Sequence, residues 1–289
     1  MKRAALPLFA FALLLAARSA AAIEFSGSVT ASSFAIDEEG DFPDALPRFG
    51  GSVEVAEQIG EVARASIQFS RDPGMGNLLG ARISWNTAFI SVSAGPSLGV
   101  LNRGEGSRTA NLFQPGIGLG FTVTAPGILV AVADTDFSIP VGGSESGQVH
   151  LQRGKVEVGF YVPHILCRAG ISQRRATTPD DGLTITRSVT DYGLYTEAFK
   201  KGSPFRIGLN FIYRVTDYEV SPDAGTDRSI GSLVVGGNVT FAPKADVTVF
   251  IGGNSSIYSF SLSGPDDGLD RFFFDATVGV KLVLRAPGA

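Results

Sequence analysis

Apolar and polar residues alternate with period two along almost the whole of this 289-residue chain. In residues 205–215, one face carries Phe, Ile, Leu, Phe, Tyr and Val, and the other carries Arg, Gly, Asn, Ile and Arg. Such alternation is typical of β-strands that have one face in an apolar medium. The pattern recurs in fourteen segments, and no helical segment is left to cover their apolar faces. The sequence therefore predicts that these faces meet lipid, as in a transmembrane β-barrel.

The connections between the predicted strands alternate between long and short. Links from odd to even strands are long and polar, such as 36–48, whereas links from even to odd strands are tight, such as 125–126. This asymmetry is typical of barrels with short periplasmic turns and longer outer loops. The predicted fold is all-β, a closed antiparallel barrel of about fourteen strands, with twelve as the alternative. The predicted strands are 23–35, 49–58, 62–71, 77–86, 89–101, 112–124, 127–138, 148–161, 165–176, 185–199, 203–218, 229–242, 246–260 and 270–285.

The first 22 residues have the features of a secretory signal peptide. Lys2 and Arg3 form a basic start, residues 4–17 are apolar, and residues 20–22 offer an A-x-A cleavage site. The apolar run is shorter than the ~20 residues that a membrane-spanning helix needs. The predicted organisation is a signal peptide at 1–22, a barrel at 23–285 and a periplasmic tail at 286–289.

Charge and residue usage exclude several classes of function. The chain has a formal net charge of −4, and removal of residues 1–22 takes away only basic charge. Nucleic acid is not expected as a partner, because phosphate binding requires clustered Lys and Arg. The two histidines, His150 and His164, have no Ser or Asp within three residues in sequence, so no catalytic residue and no enzyme activity are predicted. No cofactor or metal site is predicted either.

Charged residues on the strands are expected to face the lumen. An Arg or Lys that faces the middle of a bilayer costs about 2–4 kcal/mol. Three ion pairs are predicted from the hairpins and the barrel seam, namely Glu197–Arg206, Glu157–Arg168 and Glu24–Lys281. Arg64, Arg82, Lys155 and Arg214 are predicted to remain as unpaired base that gives a mild anion preference. The predicted lumen-lining residues are Arg64, Arg82, Lys155, Glu157, Glu197, Arg206, Arg214, Asp275 and Lys281.

Aromatic residues collect near the ends of the predicted strands. An aromatic ring at the membrane interface can keep its body in hydrocarbon and its edge in the headgroup layer. The predicted interface aromatics near the short turns are Phe25, Trp85, Phe121, Phe160, Phe199, Phe205 and Phe241. A second group, which includes Phe137, Tyr258 and Phe260, lies near the long loops.

The alternation, the connection lengths and the run 277–284 together resemble those of bacterial outer-membrane β-barrels. That run is similar to the polar-x-Gly-x-x-apolar-x-apolar insertion signal of such proteins. In size and strand count the chain is similar to small monomeric fourteen-stranded porins, but no family-specific motif assigns a site residue. The resemblance implies a monomer in the outer membrane of a diderm bacterium, in contact with outer-membrane lipid. It also implies periplasmic chaperones and the barrel-assembly machinery as partners during biogenesis.

The predicted interior indicates a water-filled pore. Fourteen strands spaced ~4.8 Å apart and tilted by ~40° give a backbone radius of roughly 14 Å. Many inward positions carry Gly, Ser or Thr, as in residues 116–120. The predicted function is passive diffusion of small hydrophilic solutes through a polar lumen. Two alternatives stay open: a fatty-acid-type transporter of hydrophobic compounds, and a surface adhesin or structural barrel whose lumen is occluded by its loops.

Overall fold

A computed structural model describes residues 22–33, 48–72, 75–101, 112–139, 150–180, 183–221, 227–264 and 273–285. Every strand pairs antiparallel with its sequence neighbours, and β1 pairs with β14 to close the sheet. The closed fourteen-stranded barrel confirms the predicted fold class, and the twelve-strand alternative is wrong. The strands are β1 (Ala22–Ser32), β2 (Arg48–Ile59), β3 (Ala63–Asp72), β4 (Gly76–Asn86), β5 (Ile90–Leu101), β6 (Leu112–Ala125), β7 (Leu129–Ser138), β8 (His150–Val162), β9 (Ile165–Asp180), β10 (Leu183–Phe199), β11 (Phe205–Ser221), β12 (Arg228–Lys244), β13 (Val247–Ser263) and β14 (Phe274–Arg285).

Most strand boundaries lie within a few residues of the predicted ones. The predicted loop at 177–184 is different, because β9 and β10 stay paired as far as Asp180 and Leu183. Ala22, predicted as the last signal-peptide residue, pairs with Arg285 in the sheet. The remainder of the predicted signal peptide and the predicted tail at 286–289 lie outside the described residues. No helix in the described ranges is long and apolar enough to cross a membrane.

The short turns all lie at one end of the barrel, which is called here the turn end. Ala22 and Arg285 also lie at this end, and the opposite end is called the loop end. Three of the turns require a left-handed backbone and place glycine there, with φ of 65° at Gly60, 74° at Gly127 and 79° at Gly202. His164 adopts a similar φ of 67° in the turn between β8 and β9.

Contacts between non-adjacent strands show which side chains face the interior. Arg174 on β9 donates a hydrogen bond to Asp72 on β3 at 2.8 Å. Only the inner faces of strands this far apart can approach each other, since the outer faces of a closed wall diverge. The alternate residues are apolar and lie outside: Phe205, Ile207, Leu209 and Phe211 are each 51–56% exposed. An apolar outer face with a polar inner face is the arrangement that a wall in lipid requires.

The barrel is flattened rather than round. In a round barrel of radius ~14 Å, Cα atoms on opposite walls would lie about 28 Å apart. The side chains of Arg174 and Asp72, placed end to end, span less than half of that distance, yet they join β3 to β9. Cα atoms of β4 and β6, and of β5 and β7, come within 8 Å of each other. Two strand spacings amount to ~9.6 Å in a flat sheet, so the wall bends sharply between β4 and β7.

The wall is taller on one side than on the other. β10 to β13 each contain 17 residues, whereas β3 contains 10. At ~3.3 Å per residue and a tilt near 40°, the long strands rise about 40 Å along the barrel axis. This exceeds the ~30 Å of the hydrocarbon layer. The β10–β13 wall therefore extends beyond the membrane at the loop end.

Two apolar clusters occupy the loop-end half of the interior, where the sequence predicted a thinly furnished polar lumen. The prediction is wrong for this part of the interior, because larger apolar residues face inward there. The β11–β12 cluster contains Ile212, Tyr218, Val220, Ile230, Val234 and Phe273, and the β8–β10 cluster contains Met75, Leu78, Leu151, Ala176 and Val189.

Candidate functional site

Ion pairs line the inner wall at the turn end. The three predicted pairs are all present: Glu197–Arg206 at 3.2 Å, Glu157–Arg168 at 3.3 Å, and Glu24–Lys281. The sequence predicted them because the two residues of each pair lie on neighbouring strands, joined either by a short turn or by the closure of β1 on β14. Arg64 on β3 adds a contact with Glu24 on β1 at 3.3 Å, and it also contacts Glu54 at 3.2 Å.

The sharp bend of the wall contains a charged row that crosses four strands. Arg82 on β4 reaches Asp134 and Asp136 on β7, with Arg82 Nη2 to Asp136 Oδ1 at 2.8 Å. Between them lie Gly95 on β5 and Gly118 on β6, which are register partners. A Cβ on Gly118 would lie 2.7 Å from Arg82 Nε. The guanidinium thus passes over β6 because Gly118 lacks a side chain, whereas a Cβ on Gly95 would meet the backbone of β4.

Sequence reasoning missed Asp134 and Asp136. Residues 130–133 are apolar on both faces, so they give no alternation that fixes which side faces inward. Leu129 pairs with Phe160, which is 58% exposed on the outer face, and this register turns Asp134 and Asp136 inward. The available signal was the charge itself, since two aspartates on the outer face would lie in lipid.

The remaining predicted lumen residues also form ion pairs. Arg214 holds Asp191 through two hydrogen bonds of 2.6 and 2.8 Å and lies 3.9 Å from Asp275. Lys155 pairs with Glu157 at 3.0 Å. The prediction that four basic residues remain unpaired is therefore wrong, because each of them has a carboxylate partner. The anion preference that was inferred from these residues loses its basis. The four residues are Arg64, Arg82, Lys155 and Arg214.

Two arginines that the sequence did not single out cross the flattened interior. Arg174 on β9 pairs with Asp72 on β3, and the two side chains are 34% and 12% exposed. Arg153 on β8 donates to Ser70 Oγ on β3 and, at 3.5 Å, to the carbonyl oxygen of Gly76. These contacts join opposite walls in the loop-end half and narrow the interior there.

Amide and hydroxyl side chains line an open concave wall on β11 to β14. The concavity has a volume of about 250 Å³. Asn210 Nδ2 donates to Asn254 Oδ1 at 3.1 Å, and Asn254 Nδ2 donates to Asp275 Oδ1 at 2.8 Å. The lining residues are Asn210, Gly237, Asn238, Thr240, Phe250, Gly252, Gly253, Asn254, Asp275 and Thr277.

Most predicted interface aromatics lie on the outer face. Phe205 and Phe241 stack with ring centroids 4.7 Å apart. Phe199 departs from the prediction, because it falls on the inner face with Glu197 and its ring meets Tyr161 at 6.4 Å. Outward-facing Trp85, Phe121, Phe160 and Phe205 are 46–58% exposed, and Phe25 shares the outward alternation of β1.

A second aromatic row lies nearer the loop end, across β10 to β13. Tyr192 stacks on Tyr213 at 6.2 Å, Tyr213 on Phe260 at 6.3 Å, and Phe260 on Tyr258 at 5.7 Å. Gly231 on β12 leaves room for this row, because a Cβ there would lie 2.7 Å from the Phe260 ring. The sequence predicted Tyr258 and Phe260 as interface aromatics but missed the two tyrosines.

A closed antiparallel barrel with an apolar exterior and a charged interior is the architecture of the outer-membrane β-barrels. Similar solved structures include an outer membrane channel from Pseudomonas putida F1 (8% identity, TM-score 0.49, covering 92% of this chain and 96% of that one). Others are OmpT of Vibrio cholerae (12%, 0.41, 92% and 99%) and the CymD monoaromatic hydrocarbon channel (8%, 0.40, 95% and 91%). At these identities the likeness concerns the barrel fold alone. No family model and no curated protein sequence matches the chain.

Proposed function

We propose that this barrel is an outer-membrane channel for small hydrophilic solutes. The observation that carries the proposal is the polar, mixed-charge inner wall of the turn-end half, which surrounds open space while the outer face is apolar. Water wets such a wall, and charged and hydrogen-bonding side chains set what passes along it. The proposal includes export through a cleaved signal peptide, assembly by periplasmic chaperones and the barrel-assembly machinery, and a monomeric state in lipid.

The route through the barrel is narrower than its strand count suggests. The Arg174–Asp72 pair and the two apolar clusters fill much of the loop-end half. A solute that enters from the turn end therefore meets a polar vestibule and then a constriction. We expect passage of small ions and solutes with a low unit conductance.

The two apolar clusters favour a second candidate function. A transporter of hydrophobic compounds needs apolar inward side chains along its route, and the β8–β10 cluster presents Leu78, Leu151 and Val189 toward the interior. An occluded barrel that serves as an adhesin or scaffold would use the same clusters as permanent packing. The three functions differ in what passes through the barrel: hydrophilic solutes, hydrophobic compounds, or nothing.

Conductance of the refolded chain in a planar bilayer tests the channel. We expect small, steady current steps in potassium chloride, with folding checked by heat-modifiable mobility on a gel. Vesicle swelling in glycerol should also be faster than in protein-free vesicles. Folded protein without steps or swelling contradicts the channel. Uptake of an apolar dye into vesicles without current steps would then favour the transporter, and no uptake of either kind would favour the occluded barrel.

A further inference from the structure

We infer that the inner wall formed by β11 to β14 is a binding surface for a neutral polyhydroxylated solute of monosaccharide size. The inference deepens the proposed function and depends on it for access of the solute to the interior. Three features of the wall carry the inference. Its asparagine amides lie flat against the strands, its internal hydrogen bonds leave polar groups available to a ligand, and one phenylalanine ring provides an aromatic surface.

The asparagine amides lie flat against the wall because glycines stand beneath them. A Cβ on Gly208 of β11 would lie 2.5 Å from the Asn238 side-chain nitrogen, and one on Gly252 of β13 would lie 2.9 Å from Asn238 Cβ. Asn254 lies over Gly236 of β12 in the same way. Each amide therefore spreads over the strand beside it instead of projecting into the lumen, which leaves a shallow concave surface.

The hydrogen bonds within the wall leave donors and acceptors available to a ligand. Asn254 is oriented by its neighbours, because its amide nitrogen donates to the Asp275 carboxylate and its oxygen accepts from Asn210. Asn238 makes no side-chain hydrogen bond within the described ranges, and the same holds there for Thr240. These two groups offer one amide donor–acceptor pair and one hydroxyl at the centre of the concavity.

Phe250 supplies an aromatic surface at the edge of the amides. It faces Thr240 across the β12–β13 ladder and Gly279 across the β13–β14 ladder. Its ring occupies the space where a Cβ of Gly279 would lie, so the ring rests against the wall. A ring held in this way presents its face to the lumen. The C–H face of a sugar ring packs on such a surface while its hydroxyls bond to the neighbouring amides.

Charge and size select the class of ligand. Asp275 is the one ionisable side chain that lines the concavity as described, and it is engaged by Asn254 and lies 3.9 Å from the Arg214 guanidinium. The free groups are neutral, which favours a neutral ligand over an ion. A volume of about 250 Å³ holds roughly eight water molecules at ~30 Å³ each. This is room for one sugar ring and its hydration.

Binding of glucose to the refolded full chain in detergent tests the inference. We expect Asn238→Leu and Phe250→Leu each to weaken glucose binding by about three- to ten-fold, the loss expected for one neutral hydrogen bond or one aromatic contact. Saturation-transfer NMR measures this without requiring ion flow. The matched control is Gln68→Leu, which removes an exposed inward amide from β3 on another part of the wall. This control should leave glucose binding unchanged.

The outcomes separate the binding surface from the channel. Current steps from a folded chain that does not bind glucose would overturn the binding surface and leave the channel intact. Glucose binding that Asn238→Leu weakens and Gln68→Leu does not, in a chain without current steps, would support the surface and overturn the channel. Equal weakening by Gln68→Leu would overturn the surface, because binding would then not depend on this wall. Triethylene glycol in place of glucose should give no signal that depends on Asn238.

Discussion

Gly118→Val is expected to destabilise the barrel by about 3–5 kcal/mol, the cost of breaking a largely buried ion pair from one side. The added side chain would occupy the space of the Arg82 guanidinium, whose Nε lies 2.7 Å from a Cβ at this position. Arg82 and Asp136 are only 15% and 12% exposed, so neither charge regains full hydration when they separate. Guanidinium unfolding of the refolded protein in detergent, followed by tryptophan fluorescence and gel mobility, measures the loss.

Gly80→Val is the matched control for this variant. Gly80 is an inward glycine on β4, two residues from Arg82, and nothing lies within 4 Å of a Cβ built there. Valine suits a strand at least as well as glycine does, so the expected change in stability is within about 1 kcal/mol. An equal loss of stability in both variants would mean that any inward valine is harmful here. The Arg82–Asp136 row would then not be what holds the bend.

The period-two pattern identified the strands because each strand has one face in contact with lipid and the other face toward the polar interior. The pattern weakens where that contrast ends. β9 and β10 continue past the predicted boundary at 176, where residues 177–184 are mainly polar on both faces. Strands that pair in water do not need an apolar face, so no alternation marks residues 177–184, and the sequence therefore predicted a loop there.

The ion pairs that could be predicted from the sequence are those whose two residues lie on neighbouring strands of the barrel. Glu197 and Arg206 lie nine residues apart across a short turn, and the hairpin register alone places them together. Asp72 and Arg174 lie 102 residues apart and meet only because the barrel is flattened. The flattening arises in turn from small side chains such as Gly95 and Gly118, which permit the sharp bend. Local alternation contains no information about cross-sectional shape, so the cross-barrel contacts were not predictable.

Arg174→Ser is expected to raise the unit conductance of the channel by about two-fold or more, because constrictions built from side chains limit ion flow. The substitution removes the guanidinium that joins β9 to Asp72 on β3, and it leaves a short polar side chain in the narrow part of the interior. The loss of one positive charge beside the Asp72 carboxylate should at the same time shift selectivity toward cations. Single-channel steps and reversal potentials across a salt gradient measure both changes.

Arg175→Ser is the control, because it makes the same chemical change one residue along β9 on the exposed outer face. Its conductance and reversal potential should match those of the unmodified chain. If Arg174→Ser also leaves both quantities unchanged while the protein folds, the Arg174–Asp72 pair does not limit the route. If both variants raise the conductance alike, the cause is the lost charge and not the cross-barrel contact, because Arg174 reaches the opposite wall and Arg175 does not.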